Sequence, residues 1–77
     1  MVSKAFVLIN MEVGQGTALT DTLKGIPEIT EIYAVYGVYD YLVRVETETM
    51  QHIKDIVQTK IKSLNYIKST LTMIVVE

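Results

Sequence analysis

The chain has no cysteine, a single histidine (His52), a single proline (Pro27) and no apolar run of membrane-spanning length. Without cysteine, disulfides and thiolate metal sites are excluded, and His52 has no second nitrogen ligand with which to hold zinc. The longest apolar stretch, residues 5–9, is strand length, far short of the ~18–20 residues of a helical span. The opening Met1-Val2-Ser3-Lys4, followed soon by polar Asn10 and Glu12, lacks the layout of a secretory signal. Positive charge is also scarce. Seven basic residues against nine acidic ones leave a net charge of −2, with no clustered Lys/Arg face of the kind that grips nucleic acid. These absences set the expectation of a cytoplasmic protein that takes no cofactor or metal and binds neither membrane nor nucleic acid directly.

Apolar content, by contrast, is high: 49% of the residues are hydrophobic, and the mean hydropathy is +0.29. That excludes disorder. A chain of 77 residues is one small domain, and such a domain buries only ~60–65% of the surface its unfolded form exposes. Small scaffolds of this kind usually need disulfides, a metal or a partner chain. With the first two excluded, a second copy is the expected staple.

Residues 3–12 are β-branched and apolar without helical spacing, and read as a buried strand. Gly14-Gln15-Gly16 breaks it. Thr17 can cap a short helix through Leu19 and Leu23, with Gly25 suited to a left-handed C-terminal position and Pro27 blocking continuation. A second strand covers residues 28–36. Gly37-Val38 reads as a two-residue reversal into a third strand, residues 39–46. Thr47 and Glu48 open the clearest helix, in which Met50, Ile53, Ile56, Val57, Ile61 and Leu64 recur at three- and four-residue intervals. Asn65 ends it, and residues 66–76 form a fourth strand. The order βαββαβ predicts an α+β, ferredoxin-like fold: a four-stranded antiparallel sheet with both helices on one face.

Two helices cover only one side of such a sheet, so the other side should be polar. It is not. The first strand sets Phe6 and Leu8 opposite Ala5, Val7, Ile9 and Met11; the second sets Ile29, Tyr33 and Val35 against Ile32, Ala34 and Tyr36. The fourth sets Leu71, Met73 and Val75 against Ile74 and Val76. In the third strand alone, Asp40, Leu42, Arg44 and Glu46 lie clearly opposite Tyr41, Val43 and Val45. An open face so furnished exceeds the ~300–600 Å² apolar patch that monomers tolerate. Stacking two sheets about a twofold would bury at least ~1,000 Å². A sheet-on-sheet homodimer is therefore expected, with Arg44 and Glu46 pairing or reaching the rim, since an unpaired buried charge is costly.

Residues suited to catalysis are few. His52 lies among the polar positions of the second helix and reads as a solvated side chain. No serine has a context that suggests nucleophile activation, so no enzyme activity is expected. Gly14-x-Gly16 lacks the third glycine and lysine of a phosphate loop and reads as a strand breaker. The five tyrosines read mainly as packing residues. A cluster of different character is Gly37-Val38-Tyr39-Asp40 with Ser69, Thr70 and Thr72. A free amino acid needs a fixed carboxylate for its ammonium, and N–H groups or hydroxyls for its carboxylate. Asp40, the close backbone approach at Gly37 and the hydroxyls supply these, although Asp40 is equally readable as a turn acid and the threonines as strand formers.

At these residues the sequence resembles the effector-binding (RAM) domain of the Lrp/AsnC regulator family. The likeness runs through Ala5-Phe6-Val7-Leu8-Ile9, residues 29–35, Tyr36-Gly37-Val38-Tyr39-Asp40-Tyr41-Leu42-Val43 and residues 67–75, with Gly-x-Tyr-Asp and Ser-Thr-x-Thr the most specific parts. The resemblance implies the ferredoxin-like fold, dimers paired through their sheets, rings of dimers, and small ligands, often amino acids, held between dimers. It further implies that Gly37, Tyr39 and Asp40 line the ligand cleft, with Ser69, Thr70 and Thr72 contributing. No helix-turn-helix segment precedes the first strand, so a stand-alone module is expected, one that could act on transcription by co-assembly with full-length regulators. The alternatives are a small dimeric, monooxygenase-like α/β-barrel enzyme and a ligand-free oligomerisation partner.

Overall fold

In the computed structural model, which describes residues 2–76, the elements follow the expected order. They are β1 (Ser3–Met11), α1 (Gly16–Lys24), β2 (Ile29–Ala34), β3 (Tyr41–Thr47), α2 (Met50–Ile56, continued by a π-helical turn, Val57–Ile61) and β4 (Ile67–Ile74). The four strands form one antiparallel sheet in the order β2-β3-β1-β4. That is the ferredoxin-like arrangement.

The core lies between the helices and one face of the sheet. Ala5, Val7 and Ile9 of β1 and Val43 and Val45 of β3 are fully buried beneath Leu19 and Leu23 of α1 and Ile53, Ile56 and Ile61 from α2 and its continuation. Full burial of each valine, leucine or isoleucine side chain here contributes about 1.5–3 kcal/mol. The alternation expected for β1, β3 and β4 is the alternation observed. In β2 it fails at one point, because the pairing with β3 slips between Ile29 and Glu31. This bulge places Ile29 with Ile32, against the core, rather than with Tyr33.

Several ends differ from expectation. Helix α1 begins at Gly16 with Gln15 at its cap and no side-chain cap bond, so Thr17 is inside the helix. Gly25 stays right-handed (φ −83°), its N–H donating to Thr22 O in a tight last turn. Thr47 belongs to β3, opposite Ser3, and the cap of α2 is Thr49, whose Oγ1 accepts from the His52 N–H at 3.1 Å. The β2–β3 connection is also wider than a two-residue turn. It covers residues 35–40 and is closed by a bond from Val35 N–H to Asp40 O.

The π-helical turn has a sequence cause. Buried Ile53, Val57 and Ile61 recur every fourth residue, a spacing that outruns the 3.6-residue period of an α-helix. Widening the last turn, with Lys62 N–H donating to Val57 O at 2.8 Å, keeps Ile61 facing the core. Two side-chain hydroxyls donate back to carbonyls along this segment, Thr59 to Asp55 O and Ser63 to Thr59 O, each at 2.6 Å.

Candidate functional site

The β2–β3 loop is anchored at one end of the sheet. Asp40 donates its backbone N–H to Ile9 O at 2.9 Å, and its Oδ2 accepts the backbone N–H of Met11 at 3.0 Å. A single residue thus fastens the loop to the end of the central strand twice. Gly37 has a φ of +149°, a backbone conformation that favours glycine, and nothing lies near the place a Cβ would take. Tyr39 and Asp40 are half-buried, whereas Tyr36 and Val38 at the tip are exposed.

Ser69 lies at the same end of the sheet, paired with Asn10 between the two β1 residues that Asp40 contacts. Thr70 and Thr72 do not share its face. They alternate with Leu71 and point, like Ile74, to the helix side. There they line a cleft of about 420 Å³ between β4 and the second helix, together with Lys54, Val57, Gln58 and Lys62. Within one protomer the six candidate residues therefore fall into two groups. Gly37, Tyr39 and Asp40, with Ser69 nearby, occupy the loop end of the sheet, and Thr70 and Thr72 occupy the helix-side cleft.

Lys54, Gln58 and Lys62 lay outside the residues singled out above. Their signal was the i, i+4, i+8 spacing, which stacks three polar side chains along one side of a helix. A second cleft, about 560 Å³, opens at the start of α1 and is lined by Thr17, Thr20, Asp21, Lys24 and Tyr41. Gly16 there is a close-approach position, since a Cβ would come within 3.1 Å of the Tyr41 hydroxyl. His52 Nε2 stands 3.6 Å from Glu28 Oε2, whose sister oxygen Oε1 is buried without a partner among the described residues.

On the open face the rows of cross-strand partners run Tyr33–Leu42–Leu8–Leu71 and Glu31–Arg44–Phe6–Met73. Tyr33, Leu71 and Met73 are each more than two-fifths exposed. Two of the charged residues here form a pair, Arg44 Nη2 to Glu46 Oε2 at 3.1 Å. The first row is uncharged from one edge of the sheet to the other.

This architecture and this sequence match known proteins. The Lrp/AsnC ligand binding domain, as a family model, covers residues 4–77. The chain belongs to the Lrp/AsnC family. Among curated relatives, the HTH-type transcriptional regulator FL11 of Pyrococcus furiosus is 30% identical over 73 residues, which take in 95% of this chain and 48% of the regulator. The chain thus spans about half the length of the curated relatives it matches. Among solved structures, FFRP-DM1 is 35% identical with a TM-score of 0.92, covering 96% of this chain and 99% of that one. The transcriptional regulator NMB0573 of Neisseria meningitidis, solved as its L-Met complex, has a TM-score of 0.87 at 17% identity, over 97% of this chain and 50% of its own. That last likeness is one of fold. As a ligand-binding domain of the Lrp/AsnC family, the chain is of a regulatory type, and no helix among the described residues is long and apolar enough to cross a membrane.

Proposed function

We propose that this Lrp/AsnC domain senses a free amino acid and oligomerises, and that it passes its ligand state to full-length regulators of the family by co-assembly. The observation that carries the reading is the double anchoring of Asp40 at the loop end of the sheet. A carboxylate so fixed is oriented in advance for an ammonium group, and less entropy is lost on binding. Gly37, Tyr39 and Ser69 complete the proposed cleft, with a neighbouring copy closing it. The uncharged row of the open face, Tyr33–Leu42–Leu8–Leu71, supports a sheet-stacked homodimer, and the exposed Tyr36 and Val38 at the loop tip support contacts between dimers in a ring. The curated relatives are transcriptional regulators, which supports a non-enzymatic role. NMB0573, which shares the fold, was solved with L-Met.

Titration calorimetry against the twenty amino acids tests the reading. A selective binder is expected, weakened at least tenfold in Asp40→Asn. If no amino acid binds, the sensing role is wrong. If mixing with a full-length family regulator yields no mixed oligomer, the co-assembly role is wrong.

A further inference from the structure

The helix-facing sides of β1 and β3 carry apolar residues through their centres, as a core requires. Strand β4 departs from this. Its central helix-facing positions are Thr70 and Thr72, opposite Ile9 and Val7 of β1. Both are half-buried, and neither hydroxyl has a hydrogen-bond partner among the described residues. Valine has the same shape and would suit a core-facing strand position better. Both threonines instead line the cleft beside the π-helical turn.

The opposite wall is basic. Lys54 and Lys62 stand eight residues apart, about 12 Å along a helix at 1.5 Å per residue, and both line the cleft. Among the described residues neither makes an ion pair, and none that is acidic lines the space. The floor is apolar, formed by Val57 and Ile74. Lys54, Lys62, Gln58, Thr70 and Thr72 thus line one open cleft of about 420 Å³, within the size range of a small-metabolite site.

We propose that this cleft binds a compact multivalent anion, a small di- or tricarboxylate or organic phosphate, with Lys54 and Lys62 at its ends and Thr70 and Thr72 donating hydrogen bonds along its wall. Long flexible lysines suit an anion as point charges that follow the ligand, and the half-buried threonines supply direction. The site is on the helix side of the sheet, whereas Asp40 fastens the loop at its end. The inference goes beyond the sensing role and does not rest on it.

The test measures thermal shift and the backbone amide resonances of Thr70 and Thr72 in the whole chain, with citrate, glutarate, pyrophosphate and 3-phosphoglycerate as probes and sodium chloride at matched ionic strength as the baseline. At least one probe is expected to raise Tm above the salt baseline and to move both amides; the carboxylate and phosphate arms tell the two ligand types apart. Lys54→Gln and Lys62→Gln should each weaken that probe by about 3- to 10-fold, the loss of one charge-assisted contact. The double variant should abolish binding, and Asp40→Asn should leave it intact. Because both lysines are exposed, these variants should fold as the parent chain does. If no probe exceeds the salt baseline, or if binding survives the double variant, the proposal is overturned.

Discussion

Asp40 and Met11 are joined by a hydrogen bond from the Met11 backbone N–H to the Asp40 carboxylate, 3.0 Å long, between residues 29 positions apart. It gives Asp40 a structural task as well as the proposed ligand task, and two substitutions separate them. Asparagine retains an acceptor oxygen for Met11 but loses the charge, whereas alanine loses both. Asp40→Asn should leave Tm nearly unchanged while amino-acid binding falls. Asp40→Ala should cost about 1–3 kcal/mol in denaturant unfolding, since a part-buried N–H loses its acceptor. Equal destabilisation by the two would contradict the assignment of the hydrogen bond.

Leu71 sits at the β4 end of the apolar row and is 44% exposed in the protomer, so a charge there does little harm to the isolated fold. Within stacked sheets the same charge would be buried without a partner, at a cost of several kcal/mol per protomer. If the proposed sheet-stacked dimer forms, Leu71→Asp should convert it to particles of 8.7 kDa in sedimentation equilibrium. A variant that keeps the native mass would place the interface elsewhere.

Gly37→Ala probes backbone conformation alone. No atom lies within 4 Å of the added carbon, so no clash contributes, but φ near +149° is unfavourable for any side chain. A loss of about 1–3 kcal/mol is expected in urea unfolding, with an unchanged far-ultraviolet spectrum. A neutral result would mean that the loop readjusts freely.

For Thr72→Val the expected sign is reversed. Removing a hydroxyl that has no protein partner from a half-buried core-facing position should stabilise the fold by about 0.5–1 kcal/mol. Heating should show a Tm increase of roughly 2–8 °C for a domain of this size. The same variant should weaken any anion held in the helix-side cleft, a trade of binding for stability. Destabilisation would instead show that the hydroxyl has a partner in solution.

The element order, the sheet and the two-sided apolar character of β1 were all legible in the sequence, because alternation and helical spacing are strong local signals. What could not be read there came from pairing between strands. The bulge beside Ile29 changes which face that residue takes, and it arises only when β2 is aligned with β3. Gly37 marks a reversal in the sequence, but the bonds from Val35 to Asp40 and from Asp40 to Ile9 decide how wide the loop is. Thr47 and Thr49 are both plausible caps; β3 claims Thr47 by pairing it with Ser3. The candidate site divides for a similar reason. Ser69, Thr70 and Thr72 look like one motif in one dimension, but strand alternation sends the serine and the threonines to opposite faces. Lys54, Gln58 and Lys62 read as an ordinary solvated helix surface until β4 is seen facing them.

The sheet places the first strand between β3 and the last strand, with Ala5 opposite Ile74. During synthesis β1 must therefore wait for β4, which leaves the ribosome later, before its second edge is paired. Up to that moment β1 has one neighbour at most, and its far edge stands open to any extended chain. Closure across so long a loop is slow compared with helix formation. The interval between emergence and closure is when this domain is most exposed to mispairing, and when a waiting copy of itself would be the nearest wrong partner.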